Sequence, residues 1–278
     1  SCGHCAPCAN GRPALCEPGA TANGAGEMLG GGFRLAEHGH HVHHLCGVSS
    51  FAEYATVSRR SLVKLDRNVP LHIAALMGCA VLTGAGAVFN TGDVHPGCKT
   101  AVIGLGGVGL AAILGAVAAG AETIVAVDRL ESKLDLARSM GATHAFRAND
   151  PDIEGKIREA TAGGVDAALE FAGSARALEF AYRITRRGGA TITAGLPNPN
   201  DMFQIPAVSL VAEERNIKGS YLGSGVPSRD IPRFLGLYNR GKLPVDKLLT
   251  HRIRLNDINE GFDRLHDGSA IRQIIEFN

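Results

Sequence analysis

The sequence has almost no charge of either sign to spare: 28 Lys and Arg against 27 Asp and Glu leave a formal charge of +1. That balance gives no electrostatic case for nucleic acid or an anionic membrane as the main partner. Tryptophan is absent, and no repeat of solenoid period runs through the 278 residues. No leading Met is present, since the chain begins Ser1-Cys2, and no signal peptide is visible. Apolar material is not short: 45% hydrophobic and 20% charged residues exclude a largely disordered chain. The length implies about two domains with room for a buried core.

Charge is missing altogether from residues 69–92 and 100–121. Either run is long enough to raise a membrane-span reading. Both carry Gly at short intervals, however, and the second divides into a strand, a tight turn and a helix. They read as buried elements of a parallel α/β sheet, whose strands are continuous apolar runs. The 36 glycines are about 13% of the chain against a usual ~7%, which calls for tight turns or close ligand approach.

Four of the seven cysteines fall in the first 16 residues: Cys2, Cys5, Cys8 and Cys16, in C-x2-C-x2-C-x7-C spacing. Four thiolates this close in sequence can fill a tetrahedral zinc shell and leave no open position, which makes a structural site. Metal binding would also supply folding energy that this Gly-, Pro- and Ala-rich segment lacks. The alternative is two disulfides in a secreted loop, which a cytoplasmic setting disfavours. His4 reads as an exposed neighbour of the four sulfurs. Residues 38–46 hold a second His/Cys-rich tract, His38, His40, His41, His43, His44 and Cys46, without regular ligand spacing. It reads as an irregular solvated loop, with a second metal site as the alternative.

From Cys98 the pattern becomes specific. An apolar strand at 101–103 runs into Gly104-Leu-Gly106-Gly107-Val108-Gly109, then an Ala-rich helix at 110–119 and a second strand at 123–127 ending in Asp128. Each position has a physical task. Gly104 permits the tight turn, Gly106 lets backbone approach a pyrophosphate, and Gly109 allows close helix–strand packing. The helix N-terminus presents free N–H groups to phosphate. Asp128 would accept hydrogen bonds from the adenosine ribose and repel a 2′-phosphate, favouring NAD over NADP; Arg129 is the one opposing feature. Strands at 143–146, 165–171, 190–195 and 216–220 alternate with helices at 131–140, 153–161 and 175–186, which implies a doubly wound parallel sheet. Ligands bind beyond the carboxyl ends of such strands, near Phe171-Ala-Gly173 and Ala194-Gly195-Leu196-Pro197, although these are also plain turn residues.

Several motifs together resemble the zinc-dependent alcohol dehydrogenases of the medium-chain dehydrogenase/reductase superfamily. They are the four-Cys lobe, Gly47-Val-Ser-Ser-Phe51-Ala-Glu-Tyr54, Met77-Gly-Cys79-Ala-Val-Leu-Thr83-Gly, the nucleotide fingerprint, and Ile258-Asn-Glu-Gly-Phe262 followed by Ile271-Arg272. The resemblance implies a partial GroES-like β-barrel catalytic domain at 1–80, with the zinc lobe at 1–16. It further implies an NAD-binding Rossmann domain at 81–223 and a return to the catalytic domain at 224–278. The implied reaction interconverts an alcohol and an aldehyde or ketone by zinc-assisted hydride transfer. In this likeness Cys79 matches a ligand of the catalytic zinc, whereas from its apolar surroundings alone it reads as a buried core Cys. Thr83 matches a position beside the nicotinamide. Lys133 matches a ribose contact, its alternative being a solvated helix Lys. Arg272 matches a basic residue near the cofactor phosphates, a task that suits the guanidinium.

One departure stands out. Two further catalytic-zinc ligands of the family, a Cys and the His of Gly-His-Glu, lie upstream of the four-Cys lobe, and no Gly-His-Glu occurs here. The expectation is a chain starting inside that lobe, able to bind NAD and a structural zinc but a poor alcohol oxidant as it stands. A zinc-free reductase of the same superfamily and a non-catalytic NAD-binding protein are the competing readings. The resemblance further implies a cytoplasmic homodimer or homotetramer, with 204–210 or 219–222 as the sheet edge that pairs, acting on a small-molecule alcohol or aldehyde.

Overall fold

A computed structural model describes residues 1–277. Its centre is a six-stranded, wholly parallel sheet: β3 (Lys99–Ile103), β4 (Thr123–Asp128), β5 (His144–Arg147), β6 (Val165–Glu170), β7 (Thr185–Thr193) and β8 (Asn216–Gly219), in the order β5-β4-β3-β6-β7-β8. Chain order reverses between β3 and β6, so the carboxyl ends of those two strands open a crevice. Apolar runs at 101–103, 124–127 and 167–169 form the middles of β3, β4 and β6, and most are fully buried because helices cover both faces.

Two smaller sheets flank it. One is the antiparallel hairpin of β1 (Leu35–Glu37) and β2 (His40–Val42), and the other the parallel pair β9 (Leu249–Ile253) and β10 (Arg272–Ile275). Among the described residues no barrel closes. The His-rich tract is therefore a hairpin and not an irregular loop. His41 stacks on Phe33 at 4.8 Å, His43 Nδ1 donates to the Ala25 carbonyl at 3.0 Å, and the buried His44 takes the Arg34 N–H on Nε2 at 3.0 Å. Among the described residues no metal-capable cluster includes these histidines.

The helices, in chain order, begin with α1 (Ala6–Ala9) and α2 (Glu17–Ala25) in the first lobe. The charge-free run at 69–92 forms α3, Leu71–Thr91, continuous through two π-helical turns at Met77–Val81 and Ala87–Thr91. It is long and apolar enough to cross a membrane, yet two-thirds of its apolar window is buried inside the protein, 67%. It packs on α4, Gly107–Ala119, so closely that a Cβ on Gly84 would overlap the Val108 carbonyl. The expected boundary at residue 80 falls within α3, so a continuous helix spans the junction.

Two expectations fail at the far edge of the sheet. Residues 204–210 are not an edge strand, because Ala207–Ala212 is helical; Pro206 caps it and could give no N–H to a ladder. Of 219–222, only Gly219 is strand, and Tyr221–Ser224 is a tight turn with Leu222 at φ 48° and Gly223 at φ 67°. The helix expected to reach Arg186 stops at Ile184, and Thr185–Thr193 is all strand.

Candidate cofactor cleft and metal sites

The glycine turn lies at the crevice, and each glycine meets a different neighbour. Gly104 has φ +88°, and a Cβ on it would stand 2.7 Å from the Ala172 amide nitrogen. On Gly109 a Cβ would overlap the Gly104 carbonyl, so helix α4 could not start this close to β3. At Gly106, the N-cap of α4, no protein atom lies within 4 Å of a Cβ position. Two residues are thus glycine to let protein pack on protein, whereas Gly106 faces open space beside the free N–H groups of Gly107 and Val108, a cradle suited to phosphate.

Asp128 ends β4 and braces the turn, accepting the Leu105 N–H on Oδ2 at 2.7 Å and the Leu130 N–H on Oδ1 at 3.0 Å. That second task of the acid is not visible in the spacing. Lys133 lies in the first turn of α5 (Glu131–Ser139), half-buried, its Nζ 3.6 Å from a Cβ position on Gly268. Arg272, the first residue of β10, reaches across so that a Cβ on Gly107 would overlap its Nε. This Nε is buried and has no hydrogen-bond partner in the protein. Burial holds the guanidinium below its ordinary value, with the nearby Cys79 thiol acting in the opposite sense. An unpartnered, desolvated guanidinium over a helix N-terminus is a fit for an anion. The cleft therefore brings Gly104, Gly106, Gly107, Val108, Gly109, Asp128 and Arg272 together, with Lys133 at its border.

Cys79 is exposed, which corrects the buried-core reading from its apolar context. It lies on the first π-helical turn of α3 and lines a cavity of about 340 Å³ with Arg272, Phe51 and Phe262. Thr83, one helical turn on, is buried, and its carbonyl lies 2.9 Å from a Cβ position on Gly223. That contact sets Thr83 against the Tyr221–Ser224 turn. A second cavity, about 420 Å³, opens at the carboxyl ends of β7 and β8, lined by Thr193, Ala194, Gly195, Leu196, Ser220 and Tyr221. The two loops named from sequence meet at its floor: a Cβ on Gly195 would stand 2.5 Å from the Gly173 amide nitrogen. Beneath them lies Glu170, 1% exposed, which sequence reasoning passed over. Its signal was available, an acid closing an apolar strand as Asp128 does in β4.

The four-Cys lobe forms a compact donor set. The Sγ atoms of Cys2, Cys5, Cys8 and Cys16 all lie within 4.8 Å of one another, and all are free thiols. Cys2 Sγ accepts the His4 and Cys5 amides, and Cys16 Sγ those of Cys2 and Gly19. The His4 amide is foremost in pulling the Cys2 thiol down to about 6, while burial pushes Cys8 up to about 11. Four sulfurs at the reach of one ion, with amides pointing at them, fit a structural zinc. Around Cys79 the donors do not fit a catalytic zinc: among the described residues the four-Cys group is the one cluster of three or more metal donors, and a catalytic site needs three protein ligands.

Known proteins bear on this arrangement. The zinc-binding dehydrogenase family matches residues 107–240. An NDMA-dependent alcohol dehydrogenase of Amycolatopsis methanolica is 38% identical over 99% of this chain and 75% of its own length. The crystal structure of an alcohol dehydrogenase zinc-binding domain protein from Burkholderia ambifaria superposes with a TM-score of 0.95 at 35% identity, covering 100% of this chain and 75% of that one. Benzyl alcohol dehydrogenase of Acinetobacter calcoaceticus gives 0.91 at 34% identity with the same coverage. The chain spans three-quarters of the length of these relatives, and by fold, cleft and sequence it belongs to the zinc-binding alcohol dehydrogenase family.

Proposed function

We propose that the chain is an NAD-dependent alcohol dehydrogenase that interconverts an alcohol and an aldehyde or ketone. The observation that carries the cofactor choice is Asp128, whose carboxylate stands at the end of β4 beside the open face of Gly106. Backbone N–H groups of Gly107 and Val108 would hold the pyrophosphate, with Arg272 supplying the countercharge and Lys133 the far ribose hydroxyl. With the adenosine at β4 and the pyrophosphate at β3, the nicotinamide half would fall over β6 to β8, toward the 420 Å³ cavity lined by Thr193, Gly195 and Ser220. When bound, the nicotinamide supplies the acceptor at C4 for the hydrogen and electron pair of the alcohol C–H bond, while the hydroxyl proton leaves to water. The walls of this cavity would orient the ring.

Cys2, Cys5, Cys8 and Cys16 would hold one structural zinc, which shapes the lobe and takes no part in chemistry. Cys79 is the residue of this chain matched to the catalytic zinc, and no step is assigned to that metal here. The same reading holds 1–80, 81–223 and 224–278 as its structural units, the cytoplasm as its compartment, and a homodimer or homotetramer as its assembly. Titration calorimetry with both dinucleotides tests the cofactor assignment. NAD is expected to bind at least about tenfold more tightly than NADP, since a 2′-phosphate would meet a carboxylate at Asp128. Equal or tighter NADP binding overturns it.

A further inference from the structure

Glu170 closes β6 directly under the two loops that floor the 420 Å³ cavity. Its side chain is buried, 1% exposed, and both of its oxygens are acceptors. Oε1 takes the Gly173 N–H at 2.6 Å, and Oε2 takes the Thr193 hydroxyl at 2.7 Å. Each oxygen thus has a donor within hydrogen-bond distance. Its backbone carbonyl also accepts the Ala194 and Gly195 amides at 3.0 and 3.2 Å. A Cβ on Gly195 would lie 2.8 Å from Oε2, so the carboxylate is one thin layer of backbone from the cavity. Among the described residues no Lys, Arg or His side chain forms an ion pair with it.

A buried acid without a cation is an expensive feature to keep for packing alone. Dipoles from one N–H and one O–H stabilise the charge without cancelling it. The oxidised nicotinamide ring carries one positive charge, and the reduced ring carries none. Resting on the NAD reading above, we propose that Glu170 is a positioning residue whose uncompensated negative charge favours oxidised over reduced cofactor in this cleft. It acts through the two crossover loops and touches neither substrate nor ring. Its charge biases the site toward the form that accepts hydride from the alcohol.

The test separates charge from shape. Glu170→Gln is isosteric and can keep both bonds, its oxygen accepting from Gly173 and its NH₂ donating to the Thr193 hydroxyl. The ratio of NADH to NAD dissociation constants, measured by calorimetry, is expected to fall about tenfold in E170Q. A purely structural role would change both constants by one factor and leave the ratio fixed, which overturns the proposal. Thr193→Val removes a donor but keeps the charge, and is expected to move both constants together. A measurement on the unaltered protein needs no variant to fold. NAD should bind about tenfold more tightly than its uncharged benzamide isostere, in which carbon replaces the ring nitrogen. Equal affinities overturn the charge effect. Failure of the unaltered protein to bind NAD or NADH at all would instead sink the cofactor reading.

Discussion

Strands β3, β4 and β6 are lined by side chains such as Val102, Val125 and Leu169 with no solvent exposure, and α4 packs on them through Leu110 and Ile113, equally buried. Over the first 72 residues, by contrast, Cys2, Cys16 and Met28 are the buried apolar side chains. The hairpin β1–β2 is exposed at every residue. One region is held by apolar burial at roughly 25 cal/mol per Å². The other has too little core to fold by that route, and its four sulfurs occupy the place of a core. The difference teaches that the zinc proposed for the four sulfurs would have a structural task separable from the sheet that lines the proposed cofactor cleft.

The largest expected effect breaks that comparison open. Stripping zinc with a strong chelator, or replacing Cys16 by Ser, should unfold the lobe, because structural zinc supplies about 10 kcal/mol or more of folding free energy in zinc-finger peptides. Hydrogen exchange read by mass spectrometry should show residues 1–46 losing protection while β3, β4 and β6 keep theirs. Loss of protection in the sheet as well would show that the two regions fold as one unit.

The converse substitution strikes the sheet side. Leu110 is fully buried in the main core, and Leu110→Ala should cost about 3 kcal/mol through lost transfer energy and the cavity left behind. A lowered urea midpoint at unchanged zinc content is the expected result. Metal loss in parallel would count against separate stabilisation.

How much of this was legible beforehand also differs between the regions. Gly104, Gly106, Gly109 and Asp128 could be read from spacing because the turn they form is local, set by residues adjacent in sequence. The four cysteines were legible for the same reason. Arg272 could not be placed by spacing, since it reaches Gly107 from a strand 165 positions later in the chain; only the likeness to a family pointed to it. Cys79 misled because an apolar run suggests burial, whereas its π-helical turn presents it to a cavity. Glu170 went unread because an acid at the end of a largely apolar strand resembles any strand end. Its meaning depends on Thr193 and Gly173, which the sheet brings to it. The expected edge strand at 204–210 failed at Pro206, where the ladder would have lacked a donor.

The smallest effect lies on the seam between the regions. The Tyr221–Ser224 turn packs against Pro13–Leu15 of the lobe, and Asn90 at the end of α3 donates to the Gly223 carbonyl at 3.1 Å. Asn90 also reaches the fully buried Asp230, whose carboxylate accepts the Val226 amide at 2.8 Å and pairs with Arg229 at 2.8 Å. Burial alone would raise the Asp230 carboxyl, but the Arg229 and Val226 bonds and the charge of Arg233 hold it below its ordinary 3.8. A carboxyl depressed in the folded state adds stability above its unfolded pKa, and that stability disappears as pH falls through the folded value. Asp230→Asn should therefore lower stability by about 1–2 kcal/mol at neutral pH. The gap to the unaltered protein should narrow below roughly pH 4, where the native carboxyl begins to protonate in the unfolded chain. Urea midpoints for both proteins across that range decide the matter, and a gap that stays constant with pH would show that shape, not charge, makes Asp230 hold the seam.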